Sequence, residues 1–550
     1  MDGNKIQLNF LKEIFKKINP FFISGILVSA LVAIPIVIVV GSFLEDTSEY
    51  FLLMKNTFLI EYVSNSVFIL IGTLSFTFIF GFFAAYFISF FSFTGANFFR
   101  WSLILSFAIP PYIFAYSLNS FFENYGLAYS IMTHLFGEGN YNQKIPKFDG
   151  IIGSIISLSF TLFGYIFVLS SAAFLYKSNN LFDVGKNLGF SLKKTFLNII
   201  FPIARPSIFV GLTLVTMEVL SDFGTVSFFS VSTLTTGIYE SWVTFDDLAT
   251  ANRLSFILIL FIFVLFLLEH LSRGNAQYHN SKNFNPRKKY KTKLKGLNNF
   301  LVFSFCSCLF LISFIFPFGQ MSYWALKNLN YLENFDIITL NFNTLYLVFV
   351  SSIILTLVAF IANVSNRFSG NKILNTLNNF SISGYAIPGV ILGLTLLTFS
   401  SWLNSVSLIN FKYFLIGTSF GIVLAYVIRF YALSYNSINS NYLKINKSID
   451  ESAYLLGFSK YKVFSNIHFP FLKNSFVLIF VLISIEIIKE LPIVLILRPY
   501  NFETFSTRAF SYAEQDLVEA AAFPSLFLIA WSTLFIIISI NFILPKVKNV

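Results

Sequence analysis

Two windows of the chain read Asp183-VGKNLGFSLKKTFLNIIF-Pro202 and Glu451-SAYLLGFSKYKVFSNIHF-Pro470. They align without a gap at an offset of 268 residues, and ten of their 20 positions are identical. The shared residues are Leu188/Leu456, Gly189/Gly457, Phe190/Phe458, Ser191/Ser459, Lys194/Lys462, Phe196/Phe464, Asn198/Asn466, Ile199/Ile467, Phe201/Phe469 and Pro202/Pro470. Both windows are polar islands between long apolar runs. A doubled amphipathic loop in a membrane chain predicts a docking element for something with two-fold character.

Outward from these windows the chain is 56% hydrophobic and 11% charged, with a mean hydropathy of +0.74. A soluble domain cannot bury that much apolar surface, so composition predicts an all-α, polytopic membrane protein. Apolar stretches long enough to cross a bilayer fall near 21–44, 62–91, 100–121, 151–176, 206–230 and 254–271. A second set falls near 298–320, 341–364, 376–402, 411–433, 474–497 and 521–545. That makes about twelve transmembrane helices in two homologous six-helix halves, 1–271 and 298–550, joined by a basic linker, 272–297. The net charge of +11 sits in short loops, where orientation in the membrane explains it better than nucleic acid does. Lys5, Lys12, Lys16 and Lys17 put the N-terminus on the cytoplasmic side, facing the acidic Glu45, Asp46 and Glu49 across the first span. Counting crossings then places the loops 177–205 and 434–473, the linker and the tail with Lys546 and Lys548 inside, so both termini are cytoplasmic. Residues 1–19 are polar and basic with no cleavable leader pattern. The linker reads as a solvated positive-inside segment rather than a lipid or nucleic-acid site. Cys306 and Cys308 lie in one apolar run and give no disulfide framework or metal set.

Each repeated loop, 180–205 and 448–473, reads as two short helices around a glycine. Ser448 with Glu451, and Asn180 with Asp183, have the spacing of a capping box. Gly189 and Gly457 suit the left-handed residue that ends the first helix. Ser191 and Ser459 suit the cap of the second, and Pro202 and Pro470 its end. A single copy is equally well read as a helix lying on lipid headgroups. Two copies at matched places in two halves favour docking into a partner's groove.

The offset continues into the following spans, where Glu218 falls on Glu486 and Asp222 on Glu490. The i, i+4 spacing predicts both carboxylates of a pair on one helix face near mid-bilayer. Such acids face an interior or wet cavity. They either line a pathway for a hard cation or bond structurally to hydroxyls, backbone or Lys489. His134, His270, His279 and His468 are scattered; His468 stands opposite Ile200 and reads as a surface residue. No G-x-x-x-x-G-K-[ST] phosphate loop occurs, and no catalytic set converges.

The pattern acid-x-x-x-x-x-Gly, nine residues, Ile-x-hydrophobic-Pro resembles the "EAA" loop of permease subunits of ABC importers. The second copy follows it through Glu451, Ser452, Ala453, Gly457, Ile467 and Pro470. The first departs, with Asp183, Val184 and Gly185 for Glu-Ala-Ala, while Gly189, Ile199 and Pro202 hold. Met217-EVLSDFGTVSFFSVSTLTTGIY-Glu240 and Lys489-ELPIVLILRPYNFETFSTRA-Phe510 look like segments of the fused two-half ferric iron permeases. Pro110-Pro111 and Ile387-Pro388-Gly389 fit that family's proline-broken, pore-lining helices.

The resemblance implies the type I importer permease fold in a bacterial inner membrane. It implies coupling loops on two copies of a cytoplasmic ABC ATPase, with ATP used by that partner and no cofactor or catalysis in this chain. It further implies an extracytoplasmic solute-binding protein resting on 123–150, 231–250 and 498–520, with Tyr239, Glu240, Tyr500 and Glu503 as contacts. Ferric iron is the implied cargo; thiamine, phosphonate or polyamine are the cargoes of related permeases. An ion-coupled secondary transporter is the reading from another class, and it gives no reason for two matched loops.

Overall fold

A computed structural model describes residues 20–44, 48–137, 139, 141–273, 291–330, 336–369, 372–406 and 415–543. The N-terminal lysines, Glu45, Asp46, most of the basic linker and the tail with Lys546 and Lys548 lie outside the described residues. Almost every described element is a helix. An apolar chain in lipid has no water to satisfy its backbone, so its N–H and C=O groups must pair within the segment. Among the described residues, eleven helices are long and apolar enough to cross a membrane, or up to 12 when one bent pair counts as a single span. That pair, Ala96–Ala108 and Pro111–Phe136, bends by 91°. Pro110 has an extended ψ of 142° and Pro111 opens the next helix, as the sequence leads one to expect.

The chain packs into two compact units that do not follow chain order. One unit comprises 47–336 and 505–536. Its centre is the pair Leu59–Phe90 and Gly150–Asn187, joined by Phe201–Ser221. Gly81 lets the first two approach closely: a Cβ there would lie 2.7 Å from the Phe163 carbonyl oxygen and 2.9 Å from the Phe167 nitrogen. Gly296–Phe310 and Phe316–Lys327, which open the second half of the sequence, also belong to this unit.

The other unit comprises 1–46, 337–504 and 537–550. Ile337–Ser369, Ser419–Tyr442 and Phe469–Lys489 pack together there as the three central helices of the first unit do. Pro20–Gly41 lies against Lys372–Ile382 and Gly389–Val406, and Ser29 Oγ bonds the Leu377 carbonyl at 2.9 Å. The helix that opens each sequence half is thus built into the unit holding the other half's core.

Three wide π turns interrupt the helices, at Phe196–Ile200, Leu311–Ile315 and Phe464–His468. Each is followed at its second residue by a proline: Pro202, Pro317 and Pro470. Proline has no N–H to give and its ring crowds the carbonyl four residues back. Widening the preceding turn removes that crowding and lets the helix continue.

Candidate coupling loops and membrane carboxylates

The two sequence copies fold alike from the glycine onward. Gly189 and Gly457 have φ of +70° and +81°, and the amides after them close the helix end, Phe190 N–H on the Gly185 carbonyl and Phe458 N–H on the Ala453 carbonyl. Ser191 and Ser459 then cap the next turn, accepting from Lys194 N–H at 3.3 Å and Lys462 N–H at 3.4 Å. Beyond the caps the helix runs without a stop through the π turn and the proline. Continuous helix covers 29 residues over Lys193–Ser221 and 30 over Lys460–Lys489. Pro202 and Pro470 therefore do not end the second loop helix, contrary to the sequence expectation. Loop and span form one rod of about 45 Å at 1.5 Å per residue.

The capping boxes are also corrected. Asn446, not Ser448, precedes Lys447–Leu455, and its side chain makes no cap bond. Asn180 and Asp183 lie inside the 38-residue helix Gly150–Asn187, so the first copy has no separate leading helix. The side chain of Asp183 is outside the described residues. Glu451 is exposed and Ala453 buried. Gly185, which replaces the last alanine of the motif, has a reason in packing: Thr195 lies on it. At the loop tips, apolar side chains point outward. Leu455 is 89% exposed, Leu456 77% and its counterpart Leu188 59%.

Different chemistry holds each loop to its unit. Under the first, Phe82, Tyr86, Phe90, Phe174 and Phe196 form a ring cluster with centroids 4.7 to 6.5 Å apart. Under the second, Phe464 and Phe476 pack on Phe360, and a buried polar group is added. Arg367 Nε donates to Asp450 Oδ2 at 2.8 Å, and His468 Nε2 lies 2.9 Å from Asp450 Oδ1. His468 is fully buried, so its assignment to the surface is overturned. Sequence reading missed Asp450 and Arg367 altogether. The one available signal was His468, a histidine flanked by Ile467 and Phe469 where the first copy has Ile200.

The membrane carboxylates are rearranged relative to expectation. Both rods stop one residue before the second acid, at Ser221 and Lys489. Asp222 and Glu490 have extended ψ of 133° and 123°. They do not share a helix face with Glu218 and Glu486, and the spans expected at 206–230 and 474–497 are broken there. Each second acid instead caps a short following helix. Asp222 accepts from Thr225 N–H at 3.1 Å, Thr225 Oγ1 at 2.9 Å and Val226 N–H at 3.2 Å. Glu490 accepts from the Ile493 N–H at the head of Pro492–Leu497.

Beside Asp222 a cavity of about 10 Å³ is lined by Ser66, Thr233 and Thr235, room for a single water at most. Glu490 is buried with Arg429, Nε to Oε2 at 3.7 Å, against the break at Pro388-Gly389. A Cβ on Gly389 would come within 2.5 Å of Glu490 Oε1 and 2.8 Å of Arg429 Nη1, so a side chain there would displace the pair. Glu486 pairs with Lys489 at 3.3 Å. Glu218 and Glu486 remain half-buried. Among the described residues, no three His, Cys, Asp or Glu side chains converge on a metal site.

Among the residues expected to meet a binding protein, Tyr239 packs on Phe223 at 4.5 Å and Tyr62 Oη donates to Glu240 at 3.5 Å. Arg498 holds Glu503 at 3.1 Å, and Tyr500 is 94% exposed. Asp247 heads Leu248–Arg273 and accepts from Thr250 N–H at 2.9 Å and Thr250 Oγ1 at 2.7 Å. Burial pushes its carboxyl up, but bonds from Thr250, Ser48 and the Ala249 amide outweigh that and hold it below the usual range.

Among the described residues, two bundles of apolar helices each carry a polar loop continuous with a span that breaks at a carboxylate, the architecture of a polytopic membrane protein. Residues 77–274 match the family described as binding-protein-dependent transport system inner membrane component. A Fe(3+)-transport system permease protein of Haemophilus influenzae is 24% identical over 484 residues, covering 87% of this chain and 88% of that protein. A second ferric transport permease of that species is 22% identical over 68% of this chain and 60% of its own length. A ferric transport system permease protein of Actinobacillus pleuropneumoniae is 23% identical over 68% of this chain and 55% of its own length. The chain is multi-pass by its apolar helices, and over residues 77–274 it is similar to inner-membrane components of binding-protein-dependent transport systems.

Proposed function

We propose that this permease imports ferric iron, delivered by an extracytoplasmic binding protein, by alternating access driven by two copies of a cytoplasmic ATPase. The observation that carries the reading is the rod. In both units a loop tip with exposed leucines is joined by unbroken helix to a span that stops at a buried or half-buried acid. A helix transmits axial and tilting motion along its length, so a push on the tip is felt at the break. Leu188, Leu455 and Leu456 are the knobs for the ATPase groove, with Gly189 and Gly457 fixing the tips, Asp183 near the end of Gly150–Asn187 and Glu451 on Lys447–Leu455. ATP closes the ATPase pair, the loops move together, and one unit rocks against the other. Both termini then face the cytoplasm.

The cargo assignment draws on the names of the ferric relatives and on the oxygen-rich acids near the breaks. Glu218 and Glu486, half-buried beside the breaks at Asp222 and Glu490, are the side chains we assign to the cargo pathway. Pro110, Pro111 and Pro388 open the facing breaks. Tyr500, Tyr239, Glu240 and Glu503 are the binding-protein contacts.

Co-purification and uptake in proteoliposomes test this. The ATPase subunit should come down with the chain, and ferric uptake should require ATP and the binding protein. Uptake that collapses with the proton gradient but survives ATP depletion would overturn the reading in favour of secondary transport. Uptake of thiamine, phosphonate or polyamine in place of iron would overturn the cargo alone. Ferric transport that survives alanine at Glu218, Asp222, Glu486 and Glu490 together would remove the acids from the pathway.

A further inference from the structure

The coupling reading treats the two loops as equivalent levers, but their attachments differ. In the second unit four elements meet at Asp450. Lys447–Leu455 supplies the carboxylate, buried at 7% exposure. Ile337–Ser369 brings Arg367, whose Nε donates to Oδ2 at 2.8 Å and whose second guanidinium nitrogen donates to the Ile445 carbonyl at 3.0 Å. The π turn Phe464–His468 brings His468, 2.9 Å from Oδ1. Ser419–Tyr442 closes the group with Tyr442, whose ring meets the His468 ring edge-on at 5.4 Å. Phe368 stacks on the other side of His468 at 5.1 Å and 16°. In the first copy the matching positions in the sequence are Phe182 and Ile200, so the aspartate and the histidine have no equivalent there.

Ring packing is non-directional and permits sliding, whereas a charge-assisted bond has a fixed direction and a short range. Both carboxylate oxygens of Asp450 are engaged, one toward the end of a membrane helix and one toward the rod. The loop cannot shift against either without breaking a bond in a dry site. We propose that Asp450, clamped between Arg367 and His468, is the positioning residue that makes the second coupling loop move as one body with Ile337–Ser369 and its own rod. The second loop is thereby a stiff lever, held through directional bonds at both carboxylate oxygens. This rests on the coupling reading above.

The experiment measures cargo transported per ATP hydrolysed by the reconstituted complex with its ATPase and binding protein, with the melting temperature of each variant measured in parallel. Arg367→Met and Asp450→Asn are each expected to lower the ratio about fivefold or more while the ATPase subunit still co-purifies. His468→Ile, which copies the first loop, should lower it as well, and His468→Gln, which keeps an N–H donor, should hold it within about twofold. The double variant Arg367→Met/Asp450→Asn removes both charges, so it should regain melting temperature relative to either single variant yet leave the ratio low. A ratio that recovers together with the melting temperature would assign the clamp to stability alone and overturn the proposal. An unchanged ratio in all variants would overturn it too. A wild-type complex that shows no ATP-driven uptake would instead bring down the coupling reading on which the clamp depends.

Discussion

At the scale of single residues, the loops turn on Gly189 and Gly457. Nothing crowds a Cβ at either, so the only obstacle to a side chain is the positive φ. Gly457→Ala should therefore cost about 1 kcal/mol of stability, seen as a lowered melting temperature with the complex intact. Proline cannot adopt these φ values at all. Because the second loop is tied to its unit by directional bonds, Gly457→Pro should depress ATPase-coupled uptake more than Gly189→Pro; equal loss or the reverse order counts against that ranking. Asp247 offers a separate check at the outer surface. Its carboxyl is held below the usual range, so its contribution is fully present above the unfolded value of about 3.9 and disappears as pH falls through the lower folded value. Asp247→Ala should lose about 1 kcal/mol near neutral pH, and the gap in melting temperature from the native chain should close in strong acid. The glycines were legible from sequence because a left-handed residue after a helix is a local need. The burial of His468 was not legible, because it depends on an arginine 101 positions earlier in the chain.

At the scale of elements, the helix pair Leu59–Phe90 and Gly150–Asn187 depends on close approach at Gly81. In lipid there is no hydrophobic drive between helices, so intimate packing of small residues supplies much of the association. Gly81→Val would press a branched side chain on the Phe163 carbonyl and should cost about 1–3 kcal/mol, measured as earlier thermal aggregation in detergent. The loop rods show what sequence reading resolves and what it misses. Proline was taken as a stop because it lacks an N–H and crowds the preceding turn. A π turn placed before Pro202, Pro317 and Pro470 absorbs that crowding, and no residue pattern announces it. The breaks at Asp222 and Glu490 were likewise hidden. A carboxylate at i+4 fits a helix face as well as it fits a cap, and the choice is made by the amides of Thr225, Val226 and Ile493.

At the scale of the whole molecule, the repeat is a repeat of machinery with unequal fittings. Both units carry rod, π turn, break and capping acid, while the clamp of Arg367, Asp450 and His468 and the pair Arg429–Glu490 belong to one of them and the buried Arg253 to the other. The Arg429–Glu490 pair rests on Gly389 at the helix break. Gly389→Ala should displace it and lower uptake about tenfold, since misplaced groups around a pathway act on positioning rather than on a single bond. Uptake within twofold of the native chain would show that the pair tolerates displacement.

The sequence by itself determined the class of the molecule. Its apolar runs force membrane helices, its duplicated windows set two matched loops, and its prolines and glycines place the breaks at 110–111 and 388–389 and the turns at 189 and 457. These follow from composition and local stereochemistry, which act over a few residues. Only the tertiary structure decided that the opening helix of each half packs into the other half's unit, that loop and span are one rod, and that Asp450 joins Arg367 to His468 across separations of 83 and 18 residues. Those outcomes depend on which distant groups arrive at the same dry point, and a buried charge is stable only where its partner has been delivered by the packing of other helices.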